Sequence, residues 1–145
     1  LLGDSMSAEY GLARGTGWVA LLAQRRPSVV VIELGGNDAL RGLPLQSTEA
    51  NLTAMAQAAR KAGARVLLVG MQVPPNYGAD YTRRFAALFH TVAQAQKAAL
   101  VPFLLQGVAD GPEPTKLFQA DRIHPTAQAQ PTMLENVWPA LKKLL

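Results

Sequence analysis

Apolar and polar positions divide the chain into short solid runs alternating with longer periodic stretches. Val29-Val30-Val31-Ile32-Glu33-Leu34 is nearly continuous in apolar and β-branched residues, as expected of a strand covered on both faces. It runs into Gly35-Gly36-Asn37-Asp38, whose glycines permit a sharp turn. Over 48–62 the spacing changes. Leu52, Met55, Ala56 and Ala59 recur at helical intervals, predicting an amphipathic helix capped by Ser47 or Thr48 and closed by Gly63. A further strand is expected over 64–69, then a loop from 71 to 78 holding Pro74-Pro75. Residues 80–99 read as a helix whose stripe is Phe85, Leu88, Phe89 and Val92. A short strand is expected over 101–105, where Pro102 is tolerable near its beginning or at an edge. Pro131 suits the first turn of a closing helix to 145, which Pro139 should kink or break.

The beginning of the chain follows the same alternation. Leu1-Leu2 ending in Gly3-Asp4-Ser5 reads as a strand that stops in a tight turn and delivers a serine. A polar, glycine-rich stretch to Gly17 leads into Trp18-Val19-Ala20-Leu21-Leu22, a helix that Arg25-Arg26-Pro27 ends. Strand and helix in turn imply α/β architecture: one domain over 1–145, a parallel sheet with right-handed crossovers, and helices on both faces. No internal repeat, low-complexity segment or linker interrupts it.

Composition narrows the chemistry. The 145 residues suffice for one buried core, and no apolar run approaches the roughly 18 residues of a membrane span. There is no cysteine, which removes disulfides, thiolate zinc sites and cysteine nucleophiles. With only His90 and His124, an imidazole-rich metal site is not expected either. The net charge is +4, but the basic residues lie in scattered pairs, Arg25-Arg26, Arg83-Arg84 and Lys142-Lys143, without interleaved aromatics. A nucleic-acid footprint would concentrate them on one element. The chain opens inside an expected strand, so its start, and any targeting segment, are expected to lie upstream.

Three short motifs carry chemistry. A serine at the carboxyl end of a strand sits where open α/β folds hold ligands. Asp121-Arg122-Ile123-His124-Pro125 places an acid and an imidazole three residues apart, close enough for the carboxylate to orient the ring in one loop. Ser5 is thus the candidate nucleophile, His124 the base and Asp121 its orienter. Acyl transfer also needs donors for the oxygen that becomes negative. The Ser5 backbone N–H and the neutral Asn37 amide, which carries two donors, supply them.

Other polar residues have plainer readings. Asp4 holds its turn, Asp38 is read as a helix-side cap, and Glu33 is read as structural, with Arg65 or Arg41 as partner. His90 faces solvent or core, away from the motif loops. Trp18 and Trp138 are read as core or helix-packing residues. Gly36, Pro75 and Tyr77 follow strands at the reactive edge and are candidates for lining an acyl pocket, although Tyr77 and its prolines equally suit a rigid turn.

The segments Leu2-Gly3-Asp4-Ser5-Met6-Ser7, Val31-Ile32-Glu33-Leu34-Gly35-Gly36-Asn37-Asp38, Pro74-Pro75-Asn76-Tyr77-Gly78 and Asp121-Arg122-Ile123-His124-Pro125 together resemble the SGNH (GDSL) hydrolases. The likeness is to the bacterial multifunctional thioesterase, lysophospholipase and arylesterase members. It implies a flavodoxin-like three-layer α/β/α sandwich with strand order 2-1-3-4-5. It implies a Ser-His-Asp mechanism without metal or cofactor, Ser5 and Asn37 as oxyanion donors, and a periplasmic or secreted location. The expected partner is a small-molecule acyl ester or thioester, handled by a monomer. A carbohydrate O-deacetylase with the same triad and a non-catalytic flavodoxin-like binding module are the alternatives. One departure stands out. Between Ser5 and Val29 there is room for one helix, but not for the family's second strand and its oxyanion-binding glycine block. The expectation is that the numbering closes up a stretch near 22–26; a true deletion would remove an edge strand.

Overall fold

The computed structural model describes residues 28–145. The Leu1-Leu2 strand, the Gly3-Asp4-Ser5 turn and the Trp18–Leu22 helix lie outside the described residues. Three parallel strands, β1 (Val29–Ile32), β2 (Arg65–Val69) and β3 (Ala99–Val101), pair in the order β1-β2-β3. Val29 registers with Arg65 and Ile32 with Leu68; Leu67 registers with Ala99 and Val69 with Val101. Parallel neighbours need long crossovers. The first contains α1 (Gly36–Leu40) and α2 (Leu45–Lys61), and the second a 3₁₀ turn (Pro75–Tyr77) and α3 (Ala79–Gln96). The chain closes with α4 (Gln130–Lys142).

Successive strand residues point to opposite faces, and on β2 both faces are covered. Val66 and Leu68 join Ile32, Leu52, Ala56, Phe85, Phe89 and Val92 in a core beneath α2 and α3. Leu67 and Val69 join Val101 beneath Val137, Ala140, Leu141 and Leu144 from α4 and the chain end. Leu67 and Leu68 are fully buried side by side in sequence, which is why β2 reads as an unbroken apolar run. Each contributes about 1.5–3 kcal/mol of transfer free energy. Phe85 and Phe89 meet edge to face, 5.3 Å apart at 79°.

Several boundaries differ from the sequence pattern. β1 stops at Ile32, leaving Glu33 and Leu34 past its carboxyl end. α2 starts at Leu45 behind Pro44, whose φ of -57° already suits a helix start. Neither Ser47 nor Thr48 caps it: the Ser47 N–H donates to the Pro44 carbonyl, and Thr48 is buried inside the helix. Gly63 follows the helix end with φ +85°, as expected. α3 ends at Gln96 because Lys97 takes a left-handed conformation, φ 50°. β3 consequently begins at Ala99 and stops before Pro102, which has no N–H for the ladder. α4 is not broken at Pro139; the helix passes through it without the bond that proline cannot donate. Trp138 is 46% exposed rather than packed, since the sheet-facing stripe of α4 runs through Val137, Ala140 and Leu141 beside it.

Candidate active site

A cavity of about 530 Å³ opens at the carboxyl edge of the sheet, the side where open α/β sheets place their ligands. The segment after β1 forms one wall, from Glu33 through Asn37 to Arg41. Met71 follows β2, and Leu104 and Leu105 follow β3. Ile123, His124 and Pro125 form another side, with Met133 of α4. Asn37 and His124, 87 residues apart in sequence, therefore face one space.

The Asp-x-x-His motif is held in a small closed loop. Phe118 bridges antiparallel to Pro125, the Gln119 N–H donates to the His124 carbonyl at 2.8 Å, and the Thr126 N–H donates to the Leu117 carbonyl at 2.8 Å. The Gln119 side-chain amide donates to the Pro125 carbonyl at 3.1 Å. Arg122 turns the chain with φ 57°, a conformation that few side chains adopt without strain. Inside the loop, Asp121 Oδ1 accepts from the N–H groups of Ile123 at 2.9 Å and His124 at 3.0 Å. Asp121 Oδ2 meets His124 Nδ1 at 2.7 Å. Chiefly the imidazole contact, and then these two backbone donors, lower the Asp121 carboxyl to about 2.

An ionised carboxylate only accepts, so His124 Nδ1 carries the proton toward Asp121 and the neutral ring keeps Nε2 as an acceptor. No described residue bonds Nε2. The motif thus presents a proton acceptor on a side chain that is largely open to its surroundings, with its tautomer and orientation set by Asp121.

The Gly-Gly-Asn-Asp turn behaves differently from its sequence reading. Gly35 adopts φ +105° and α1 starts immediately after it. Gly36 and Asn37 line the cavity. Asp38 is not a cap: no side chain caps α1, and Asp38 Oδ2 instead accepts from Thr48 Oγ1 at 3.1 Å. Tyr77 stands outside the described lining; its hydroxyl donates to the Leu40 carbonyl at 3.0 Å and its ring stacks on Tyr81. Pro75 opens the 3₁₀ turn Pro75–Tyr77. Glu33 lies on the cavity wall, as does Arg41, while Arg65 registers with Val29 at the far end of the sheet. His90 is exposed on α3. Ser5, Asp4 and Trp18 lie outside the described residues.

Three contributors escaped the sequence reading. Thr48 had a visible signal, a hydroxyl in register with Leu52 and Ala56 on the buried stripe. Gln119 and Asn136 had none. The Asn136 amide donates to the Leu104 and Gln106 carbonyls at 2.9 and 2.8 Å, fixing a wall of the cavity through a contact some thirty residues away.

Known proteins resemble this chain in sequence and in fold. Residues 19–130 match the model of the GDSL-like Lipase/Acylhydrolase family. Esterase TesA of Pseudomonas aeruginosa is 44% identical over 179 aligned positions, which take in all of this chain and 88% of that protein. An alignment of 179 positions against 145 residues leaves 34 occupied by the relative alone. Thioesterase 1/protease 1/lysophospholipase L1 of Escherichia coli is 37% identical over 96% of this chain, which spans 64% of that relative. The crystal structure of the psychrotrophic esterase EstA from Pseudoalteromonas sp., inhibited by monoethylphosphonate, superposes with a TM-score of 0.78 at 32% identity, covering 98% of this chain and 94% of that one. With the fold, the motif order and these likenesses in agreement, the chain belongs to the GDSL-like lipase/acylhydrolase family.

Proposed function

We propose that this chain hydrolyses fatty-acyl carboxylic esters or thioesters through an acyl-enzyme on Ser5. His124 acts as base and acid, Asp121 orients it, and the Asn37 amide joins the Ser5 N–H in holding the oxyanion. The observation that carries the reading is the shared cavity: Asn37 lines it together with His124, and the carboxylate of Asp121 holds the ring at Nδ1. As the Ser5 hydroxyl oxygen bonds the acyl carbon, its proton passes to Nε2 of His124, and the carbonyl electron pair moves onto oxygen opposite the amide donors. Collapse of this intermediate breaks the bond to the alcohol or thiol, which leaves with the proton from Nε2. Water then repeats the sequence on the acyl-enzyme and releases the acid.

The apolar part of the lining supports an acyl chain: Leu34, Leu52, Met55, Met71, Leu104 and Met133 offer contact for it beside polar Glu33, Asn37, Asp38, Arg41, Thr48 and Asn51, and methionines adapt to chains of different length. By the family resemblance, the missing glycine block would remove one backbone donor, a loss of about 10²–10³ in kcat. The same resemblance supports a periplasmic or secreted location, and one chain supplies every residue named, so a monomer suffices.

A fluorophosphonate probe should label Ser5 and no other residue, with labelling lost in Ser5→Ala. Hydrolysis should favour octanoyl over acetylated-sugar substrates. Labelling elsewhere, or tight ligand retention without product, would overturn the assignment.

A further inference from the structure

We infer that Thr48 is a positioning residue for Asn37, holding the short helix α1 through Asp38 so that the Asn37 amide stays aimed into the cavity. The inference rests on the reading of Asn37 as an oxyanion donor. α1 has five residues, too few to keep a helix by its own hydrogen bonds. Its direction must therefore come from outside contacts.

Thr48 grips it at two points. Its hydroxyl donates to Asp38 Oδ2 at 3.1 Å, next in sequence to Asn37. Its methyl carbon lies 3.0 Å from where a Cβ on Gly35 would stand, at the residue that opens α1. Thr48 is itself 1% exposed, one of two buried polar side chains among the described residues. A buried hydroxyl without a partner is costly, so the geometry that satisfies it is strongly selected. The next residue, Ala39, is fully buried in the main core. The buried methyl at 39 and the bond at 38 together restrain the helix from rolling about its axis, and the roll decides where Asn37 points.

A displaced donor weakens transition-state binding more than substrate binding, because charge on the oxygen develops only at the transition state. Thr48→Val keeps the volume and the methyl contact but removes the donor. Expected is a fall in kcat of about tenfold with KM for a soluble octanoyl ester within about twofold, while Thr48→Ser, which keeps the hydroxyl, returns kcat to within about threefold of the parent. Asp38→Asn, still an acceptor, should lose less than Asp38→Ala, which guards against reading a folding defect as a positioning one.

The deciding measurement is the cycle with Asn37→Ala. If Thr48 acts through Asn37, Thr48→Val should cost less than about twofold once the amide is gone. An equal loss in both backgrounds, or an unchanged kcat in Thr48→Val, overturns the inference. Full kcat in Asn37→Ala would remove the oxyanion reading and this inference with it, whereas probe labelling of Ser5 reports on the hydrolase assignment independently.

Discussion

Gly70 ends β2 at a point where two backbones approach more closely than any side chain allows. A Cβ there would lie 2.3 Å from the Pro102 carbonyl oxygen and 3.1 Å from that of Val101. Its φ is outside the left-handed region, so the demand for glycine is steric and not conformational. To relieve the contact in Gly70→Ala to the ordinary 3.4 Å, the strand ends must part by about 1 Å. That separation breaks the bond from the Gly70 N–H to the Val101 carbonyl, now 2.7 Å, and the one from the Leu104 N–H to the Gly70 carbonyl, now 2.9 Å. Each buried group left unpaired costs about 1–3 kcal/mol, against a gain of roughly 0.5–1 kcal/mol for replacing glycine by alanine in the unfolded chain. A net loss of about 3 kcal/mol follows, a large share of a typical stability of about 5–15 kcal/mol. In urea, where slopes are about 1–3 kcal/mol per molar, the unfolding midpoint should fall by about 1–3 M. Because Leu104 and Leu105 line the cavity, the folded variant should also show a raised KM for long-chain esters and less change for short ones. Circular dichroism through a urea titration checks the first, and a chain-length series the second. A midpoint within about 0.3 M of the parent would refute the reasoning, since the gain from alanine has the opposite sign and cannot produce the loss.

Two further outcomes follow from contacts at the site. The Asp121 carboxyl, lowered to about 2 by His124 and two backbone N–H groups, should titrate there in a carbon-detected NMR experiment. Because its folded value is depressed, the contacts that hold the loop are fully present above the ordinary carboxylate value near 4 and are lost as pH falls through about 2; a transition at 4 or above would disprove the paired geometry. Asn136→Ala removes two donors to the Leu104 and Gln106 carbonyls, so stability should drop by about 1–2 kcal/mol by urea unfolding, with a weaker KM for octanoyl esters; an unchanged midpoint would show that the amide does not brace this wall.

Legibility varied with the range of the interaction that decided each feature. Val66 to Val69 could be read as a covered strand because burial on both faces forbids polar residues at any position, which leaves a mark in the sequence itself. Phe85, Leu88, Phe89 and Val92 could be read as a helix face because the period of 3.6 is local, and all four are buried. The start of α2 reads too late, at 48, because the helix begins at Leu45 directly behind Pro44, ahead of the apolar stripe that marks it. Lys97 misled the end of α3, because nothing about a lysine announces a left-handed cap. Asp38 looked like a cap from its neighbours and proved to be an acceptor for Thr48, ten residues on.

The sequence by itself determined the alternation of strands and helices, the family, and the residue types from which a triad is assembled, because periodicity and short motifs are written in adjacent positions. Only the tertiary structure decided that Asn37 and His124 face one cavity, that the residue after β2 must be a glycine, and that Thr48 bonds Asp38 of α1. Those facts depend on distances between segments whose separation along the chain carries no trace of their separation in space.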